Sequence, residues 1–139
     1  MKIKKLWVLL LSACLGLGTL VAQDINTLVE RAQKGNADAQ FLLGAMYDNG
    51  QGVPQDYVQA MKWYRLAADQ GNAKAQNNLG GMYRDGQGVP QDYVQALKWY
   101  RLAVDGGNGE TQYNLGVMYE LGKGVPQDYF QAVKWYRLA

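Results

Sequence analysis

The feature that most constrains this chain is a segment that recurs three times. The hexapeptide Gly-Val-Pro-Gln-Asp-Tyr begins at Gly52, Gly88 and Gly124, a step of 36 residues, and each copy is followed by Trp-Tyr-Arg-Leu-Ala. Self-similarity at a fixed period of this length is typical of proteins built from stacked units. We therefore predict an array in which each unit is stabilised by its neighbours, and not a domain with one central core.

Each unit contains two segments with the spacing of apolar residues that predicts helices. In the first unit, a helix is predicted over residues 37–49, with Asn36 as its N-cap and Gly50 at its end. A second helix is predicted to start at Asp56, which has capping-box spacing to Gln59. The connections are short, and short connections force antiparallel neighbours. The predicted fold class is all-α, an α-solenoid of antiparallel helix pairs.

Small residues predict where the paired helices approach closely. Gly44 and its copies lie inside predicted helices, where glycine costs about 1 kcal/mol relative to alanine. Their recurrence predicts a helix–helix contact that admits no side chain, so that Gly80→Leu should fail by overpacking. Around this contact we expect Leu43, Met46 and Tyr47 to pack against Trp63 and Leu66. We also expect the tryptophans to lie in the core.

The repetition also divides the chain into a predicted capping helix and three repeats. Residues 23–36 are predicted to be a capping helix that covers the first unit, since terminal repeats must shield an apolar face. The repeats then follow at 37–72, 73–108 and 109–139, the last incomplete because Ala139 aligns with Ala67 inside the second helix. An apolar face left uncovered there predicts self-association through this C-terminal end.

The first 22 residues have a different character from the repeats. A short basic start, an apolar stretch and polar sequence from Asp24 are the layout of a secretory signal peptide, with Ala22 before the cut. This predicts an exported protein, periplasmic or secreted. Two alternatives stay open: a lipid anchor at Cys14, which follows a lipobox-like Leu-Ser-Ala, and an uncleaved membrane anchor.

Composition excludes several kinds of chemistry. The chain has no His, and its single Cys and single Ser both lie before residue 23. The repeats therefore lack Ser-His and Cys-His nucleophiles, as well as thiolate and imidazole metal ligands. The 14 basic and 12 acidic residues are interspersed, without the basic stripe that nucleic-acid binding usually requires. We expect no enzyme, no cofactor, no metal and no nucleic-acid partner.

The repeated residues resemble the Sel-one-like repeat family, a relative of the tetratricopeptide repeats. The resemblance covers residues 37–139 and rests on motifs such as Leu43-Gly44, Met46-Tyr47, Gly52-Val53-Pro54 and Lys62-Trp63-Tyr64. It implies a right-handed α-solenoid that acts as an adaptor or scaffold, and an exported protein, as many bacterial members are. Secreted members often carry a disulfide in each repeat, whereas these repeats contain no cysteine.

Comparison of the three units predicts a binding surface. The positions of the first helix that differ between units fall within one arc of roughly 120°, opposite the recurring positions. The resemblance implies that this arc lines a concave groove, where Phe41 and Tyr113 would anchor a partner and asparagines would hold a peptide backbone. Unconstrained drift of solvent-exposed positions is the alternative. The candidate residues are Asp38, Phe41, Leu42, Asp48, Lys74, Asn77, Asn78, Arg84, Glu110, Tyr113, Asn114 and Glu120.

The sequence thus predicts a non-catalytic scaffold that binds an unknown protein or peptide. The first alternative is a protein that binds peptidoglycan or cleaves glycans with two carboxylates, for which Asp48 and Glu120 are candidates lying two units apart. The second is a self-assembling structural element.

Overall fold

The structure, a computed structural model, describes residues 18–139, and these residues are helical without strands. A single helix precedes three antiparallel pairs, and each pair packs on the next one along the chain. This confirms the predicted all-α array of helix pairs. The helices are α1 (Gly18–Gln33), α2 (Ala37–Asn49), α3 (Tyr57–Asp69), α4 (Ala73–Asp85), α5 (Tyr93–Ala103), α6 (Gly109–Leu121) and α7 (Tyr129–Leu138).

Helix α1 starts before the predicted capping segment and continues through the predicted cleavage site after Ala22. The rest of the predicted signal peptide, including the alternative lipid anchor at Cys14, lies outside the described residues. Within residues 18–139, no helix is both long enough and apolar enough to cross a membrane.

Helix starts follow the predicted caps, with one difference. Asn36 accepts a hydrogen bond from the Ala39 amide at 2.8 Å, and Asp56 accepts one from the Gln59 amide at 3.0 Å. The reciprocal half of the predicted capping box does not form, because the Asp56 amide instead donates to the carbonyl of Tyr47 at 2.9 Å. The same bond joins the equivalent residues in the other two repeats, so it ties the end of each first helix to the start of the second.

A second bond strengthens this tie. The side-chain amide of Gln55 donates to the backbone carbonyl of Asp48 at 2.7 Å. The equivalent bonds run from Gln91 to Arg84 at 2.6 Å and from Gln127 to Glu120 at 2.8 Å. The recurring geometry of the turn therefore fixes the backbone at positions 48, 84 and 120, which carry a different side chain in each repeat.

The predicted close contact lies at Gly44, Gly80 and Gly116, where each glycine faces a tyrosine ring of the second helix. A Cβ at Gly80 would lie 2.6 Å from Cδ1 of Tyr100, so no side chain fits. Around this contact Leu43 and Tyr47 are buried and Trp63 packs against them. The expectation for Leu66 was wrong: it is 42% exposed, because Tyr64, Ala67 and Ala68 form the inward face of α3.

Neighbouring repeats meet through the glycine that opens each hexapeptide. A Cβ at Gly88 would lie 2.7 Å from the backbone carbon and oxygen of Tyr57 in the preceding repeat. Gly124 makes the same contact with the backbone of Tyr93. The glycine is thus required by close approach of two backbones as well as by its positive φ of 71° at Gly88.

The second repeat ends differently from the first. Helix α5 stops at Ala103, and a 3-10 turn over Val104–Gly106 follows. Gly106 takes the place of Gln70, and a Cβ there would lie 2.6 Å from Cβ of Ala73. This turn was not predicted, because only two changes from the first repeat accompany it, Ala68 to Val104 and Gln70 to Gly106.

The surface of α7 exposes several apolar side chains. Val133 is 47% exposed, whereas its equivalent Leu97 is 5% exposed beneath the following repeat. Phe130 is 92% exposed, but its equivalents Val58 and Val94 are also exposed, so this exposure belongs to the repeat position. Self-association through this face remains a prediction, which sedimentation over a range of concentrations can check.

Candidate functional site

One open hollow of about 170 Å³ lies on the face formed by the first helices of the three repeats. It draws side chains from every repeat, which only the stacking brings together. Its lining includes Asp48 from the first repeat, a larger group from α4 and α5, and Glu110 and Asn114 from the third. The residues of α4, its following turn and α5 are Asn77, Asn78, Gly81, Met82, Arg84, Asp85, Gln87 and Tyr100.

Arg84 is the positively charged residue in the lining of the hollow. Its guanidinium binds the carboxylate of Asp85 with two hydrogen bonds of 2.7 and 2.8 Å, and donates to Oδ1 of Asn114 at 3.1 Å. The hydrogen bonds from Arg84 hold the pKa of the Asp85 carboxyl below its usual value. This pair is partly exposed, so Asp85 can be exchanged for another acceptor at little cost.

A tyrosine of each second helix points its hydroxyl toward position 48, 84 or 120 of the first helix of its own repeat. In the first repeat, Tyr64 donates to the carboxylate of Asp48 at 3.1 Å. In the third repeat, Tyr136 donates to the carboxylate of Glu120 at 2.6 Å. These two repeats therefore supply an internal acceptor for the hydroxyl.

The second repeat lacks this acceptor. Its equivalent position is Arg84, a donor, and the hydroxyl of Tyr100 is buried without a hydrogen-bond partner among the described residues. Gly81 lies beside it, so that even an added Cβ would remain 3.8 Å from the hydroxyl oxygen. The hollow therefore has an unsatisfied donor in its wall, which in a folded protein calls for a specific explanation.

Burial raises the pKa of these tyrosine hydroxyls. The pKa of Tyr100 rises to about 12 because the side chain is buried, although the nearby Arg84 cation opposes the shift. For Tyr136, burial and the hydrogen bond to Glu120 raise the pKa to about 12. The pKa of Tyr64 is also raised, by burial first and by the Asp48 carboxylate second.

The predicted candidates fall into two groups. Six of them line the hollow: Asp48, Asn77, Asn78, Arg84, Glu110 and Asn114. The others are not part of its lining: Asp38, Phe41, Leu42, Lys74, Tyr113 and Glu120.

The two predicted aromatic anchors pack on the array itself. The ring of Phe41 lies 5.8 Å from that of Tyr64, and the ring of Tyr113 lies 5.6 Å from that of Tyr136. Tyr113 is 56% exposed, so part of its ring is available to a partner, whereas Phe41 is half-buried.

Asn77 has a structural role that the sequence comparison missed. It is 4% exposed, and its Oδ1 accepts a hydrogen bond of 2.9 Å from the buried hydroxyl of Thr111. The pair joins the second and third repeats across their interface. The signal was in the sequence, because Thr111 stands where the other repeats have Ala39 and Ala75.

Tyr100 is the important residue of the hollow that sequence reasoning did not select. Tyr100 was not selected because a tyrosine stands at this position in every repeat and was therefore interpreted as a packing residue. What distinguishes it is the residue opposite, so the informative comparison is between positions 48, 84 and 120 together with their tyrosine partners.

We expect the three tyrosines to respond differently to removal of the hydroxyl. Tyr64→Phe and Tyr136→Phe each lose a hydrogen bond to a carboxylate, and should lower the free energy of unfolding by about 1–2 kcal/mol. Tyr100→Phe removes a buried hydroxyl without a partner, so its free energy of unfolding should be unchanged or higher. Urea denaturation of the three variants checks this, and a loss at Tyr100 equal to the others would contradict the assignment.

Alkaline pH should destabilise the array through the same hydroxyls. A raised folded-state pKa means that the unfolded chain ionises first, so the stabilisation is complete below pH 10 and is lost as pH rises toward 12. The part of the tyrosinate absorbance that comes from these three hydroxyls should therefore rise only as helical circular dichroism is lost. Ionisation of all tyrosines before any unfolding would show that these hydroxyls are not protected.

Comparison with known proteins identifies the family of the repeats. The family model described as Sel1 repeat matches residues 37–72, 73–108 and 109–139. A search of curated proteins finds no significant match.

Solved structures resemble the chain closely. A protective antigen of uropathogenic Escherichia coli, c5321, described as displaying an SLR fold, is 44% identical with a TM-score of 0.80 over 84% of this chain and 25% of its own. A Sel1 repeat protein from Oxalobacter formigenes is 38% identical with a TM-score of 0.78, over 84% of this chain and 48% of its own. This chain thus spans about a quarter and a half of their lengths.

A third structure shows the fold alone. Cysteine rich protein B of Helicobacter pylori is 21% identical, with a TM-score of 0.63 over 82% of this chain and 86% of its own. Proteins with these repeats are typically protein-interaction scaffolds. With its repeats matched from residue 37 to residue 139, this chain belongs to the Sel1 repeat family.

Proposed function

We propose that this protein is a non-catalytic scaffold that binds a protein or peptide partner through the face containing the hollow. The observation that carries the proposal is the convergence of polar side chains from all three repeats in one place. Asn78 and Asn114 lie there, and their amides can donate to and accept from a peptide backbone. A preformed surface on packed helices loses little conformational freedom on binding.

The glycan-cleaving alternative finds less support. It requires two carboxylates that share one cleft and act as acid and base. Asp48 accepts a hydrogen bond from Tyr64 and Glu120 accepts one from Tyr136, and of these two acids only Asp48 lines the hollow. Asp85, the acid bound to Arg84, has a lowered pKa and is poorly suited to donate a proton.

The binding proposal can be tested with a displayed library of random peptides. Binders recovered on the immobilised chain are measured by fluorescence anisotropy against an Asn78→Ala, Asn114→Ala double variant. We expect affinity to fall by about tenfold, since each hydrogen bond contributes about 0.5–1.5 kcal/mol. A double variant of exposed second-helix residues, Lys62→Ala with Lys98→Ala, is the matched control and should bind normally. Equal affinity of both double variants would place binding elsewhere.

We propose in addition that the protein is exported. The support is the basic and apolar composition of residues 1–22. Fractionation of bacteria that express the full chain should recover it in the periplasm or the medium. Recovery of the uncleaved protein in the cytoplasm would overturn the proposal, and palmitate incorporation lost in Cys14→Ala would support the lipid anchor instead.

A further inference from the structure

We propose that the hollow of the second repeat binds a carboxylate group, with the hydroxyl of Tyr100 and the guanidinium of Arg84 as its hydrogen-bond donors. This rests on the proposed binding function and specifies the chemical group that the site selects. The carboxylate can come from an acidic side chain or from the C-terminus of a bound peptide.

The first argument is the comparison between repeats. The hydroxyls of Tyr64 and Tyr136 each donate to a carboxylate of their own repeat. In the second repeat, the residue at the carboxylate position is Arg84. The second repeat therefore carries a cation where the first and third carry an internal acceptor, and a carboxylate from outside would restore the hydrogen bond that those repeats make internally.

The second argument is the environment of the hydroxyl. The Tyr100 side chain is 0% exposed, and its hydroxyl has no partner in the part of the chain that the structure describes. It lies in the wall of the hollow, next to Gly81, where the first and third repeats carry Ala45 and Val117. Glycine at this position puts no side chain beside the hydroxyl, so a ligand oxygen can reach this buried atom once the surrounding groups shift.

The third argument is the availability of Arg84. A guanidinium has five N–H donors, of which three bind Asp85 and Asn114 in this structure. The remaining two donors, or those released if Asp85 swings into solvent, can bind a carboxylate in the planar geometry that arginine favours.

The acidic residues that line the hollow indicate which charges the ligand should carry besides its carboxylate. Asp48 and Glu110 line the hollow from the first and third repeats, and together with Asp85 they would repel a bare anion. A ligand that carries a positive charge next to its carboxylate would satisfy both sets of groups. We therefore expect a zwitterionic peptide segment, such as lysine followed by an acidic residue, to bind better than an isolated carboxylate.

Three short peptides separate the possible sources of the carboxylate. Acetyl-Lys-Glu-amide offers a side-chain carboxylate, acetyl-Lys-Gln with a free C-terminus offers a terminal one, and acetyl-Lys-Gln-amide offers neither. Each is titrated into isotope-labelled protein while the side-chain amides of Asn78 and Asn114 and the Nε–H of Arg84 are followed by NMR. We expect saturable shifts with one or both carboxylate peptides, and at least tenfold weaker binding of the third.

Variants then test the two donors. Tyr100→Phe should weaken carboxylate binding by about tenfold, whereas Tyr136→Phe, the matched change in the third repeat, should leave it unchanged. Arg84→Glu recreates the arrangement of the third repeat and should abolish binding, because the new carboxylate would accept the Tyr100 hydrogen bond itself. Gly81→Val, which recreates the third-repeat residue beside the hydroxyl, should also block the site.

Several results would overturn the inference. These are equal binding of all three peptides, no saturable shift with either carboxylate peptide, or full carboxylate binding by Arg84→Glu. The general binding proposal and the carboxylate site can be refuted independently of each other. If library peptides lose affinity for the asparagine double variant but tolerate replacement of their acids by amides, then the scaffold function stands and the carboxylate site does not.

Discussion

Replacing Gly80 by alanine is expected to lower the free energy of unfolding by about 1–3 kcal/mol, although alanine is the better helix former. The added Cβ would lie 2.6 Å from two ring carbons of Tyr100, whose side chain is completely buried. The ring fills the space between α4 and α5 and cannot move away without separating the helices. Gly80→Leu should prevent this repeat from packing at all.

The adjacent glycine provides the control for this prediction. Gly81 lies on the same helix, and an added Cβ would approach no described atom closer than 3.8 Å. Gly81→Ala should therefore raise the free energy of unfolding by up to about 1 kcal/mol through helix propensity. Urea denaturation of the two variants measures both effects, and a Gly80→Ala protein as stable as Gly81→Ala would refute the packing described here.

Gly88→Ala is expected to have the larger effect, a loss of about 2–5 kcal/mol. A non-glycine residue in the left-handed region costs about 1–2 kcal/mol, and overpacking adds about 1–3 kcal/mol. At Gly88 both apply, because φ is +71° and the Cβ would lie 2.7 Å from the backbone of Tyr57. Tyr57 is the first residue of α3, and backbone atoms at a helix start cannot be displaced as the end of a flexible side chain can.

Gly71→Ala separates the two contributions. Gly71 has a φ of +90°, but an added Cβ would have no atom within 4 Å. It should lose only the conformational cost, about 1–2 kcal/mol. If Gly88→Ala is no more destabilising than Gly71→Ala in thermal and urea denaturation, then the contact between successive repeats is looser than the structure indicates.

The sequence predicted the fold because the information is local and repeated. Helix limits such as residues 37–49 follow from Asn36 and Gly50, which act within one turn of the chain. Repetition at Gly44, Gly80 and Gly116 then separated packing positions from the rest. The reciprocal capping bond from Asp56 to Gln59 was predicted but does not form, because the Asp56 amide donates to the Tyr47 carbonyl instead. That acceptor is nine residues away and becomes available only when the hairpin closes.

The candidate site was predicted less completely. Variation between repeats identified Arg84, Asn78 and Asn114, but the same reasoning included Asn77, which varies for a structural reason. It also passed over Tyr100, since a residue that is identical in all repeats gives no signal by itself. Which variable side chains meet in one hollow depends on the angle between successive repeats, and the sequence of a single unit does not contain that angle.

The bonds from Gln55, Gln91 and Gln127 have a consequence for how such an array can change. Each anchors the main chain of the residue at position 48, 84 or 120 without touching its side chain. The side chains of aspartate, arginine and glutamate consequently project from backbone that is held in the same way. Exchanging one for another changes the functional group at that position and leaves this backbone bond in place. Under the proposed binding function, a single substitution at one of these positions would change the chemical group that one repeat offers to a ligand.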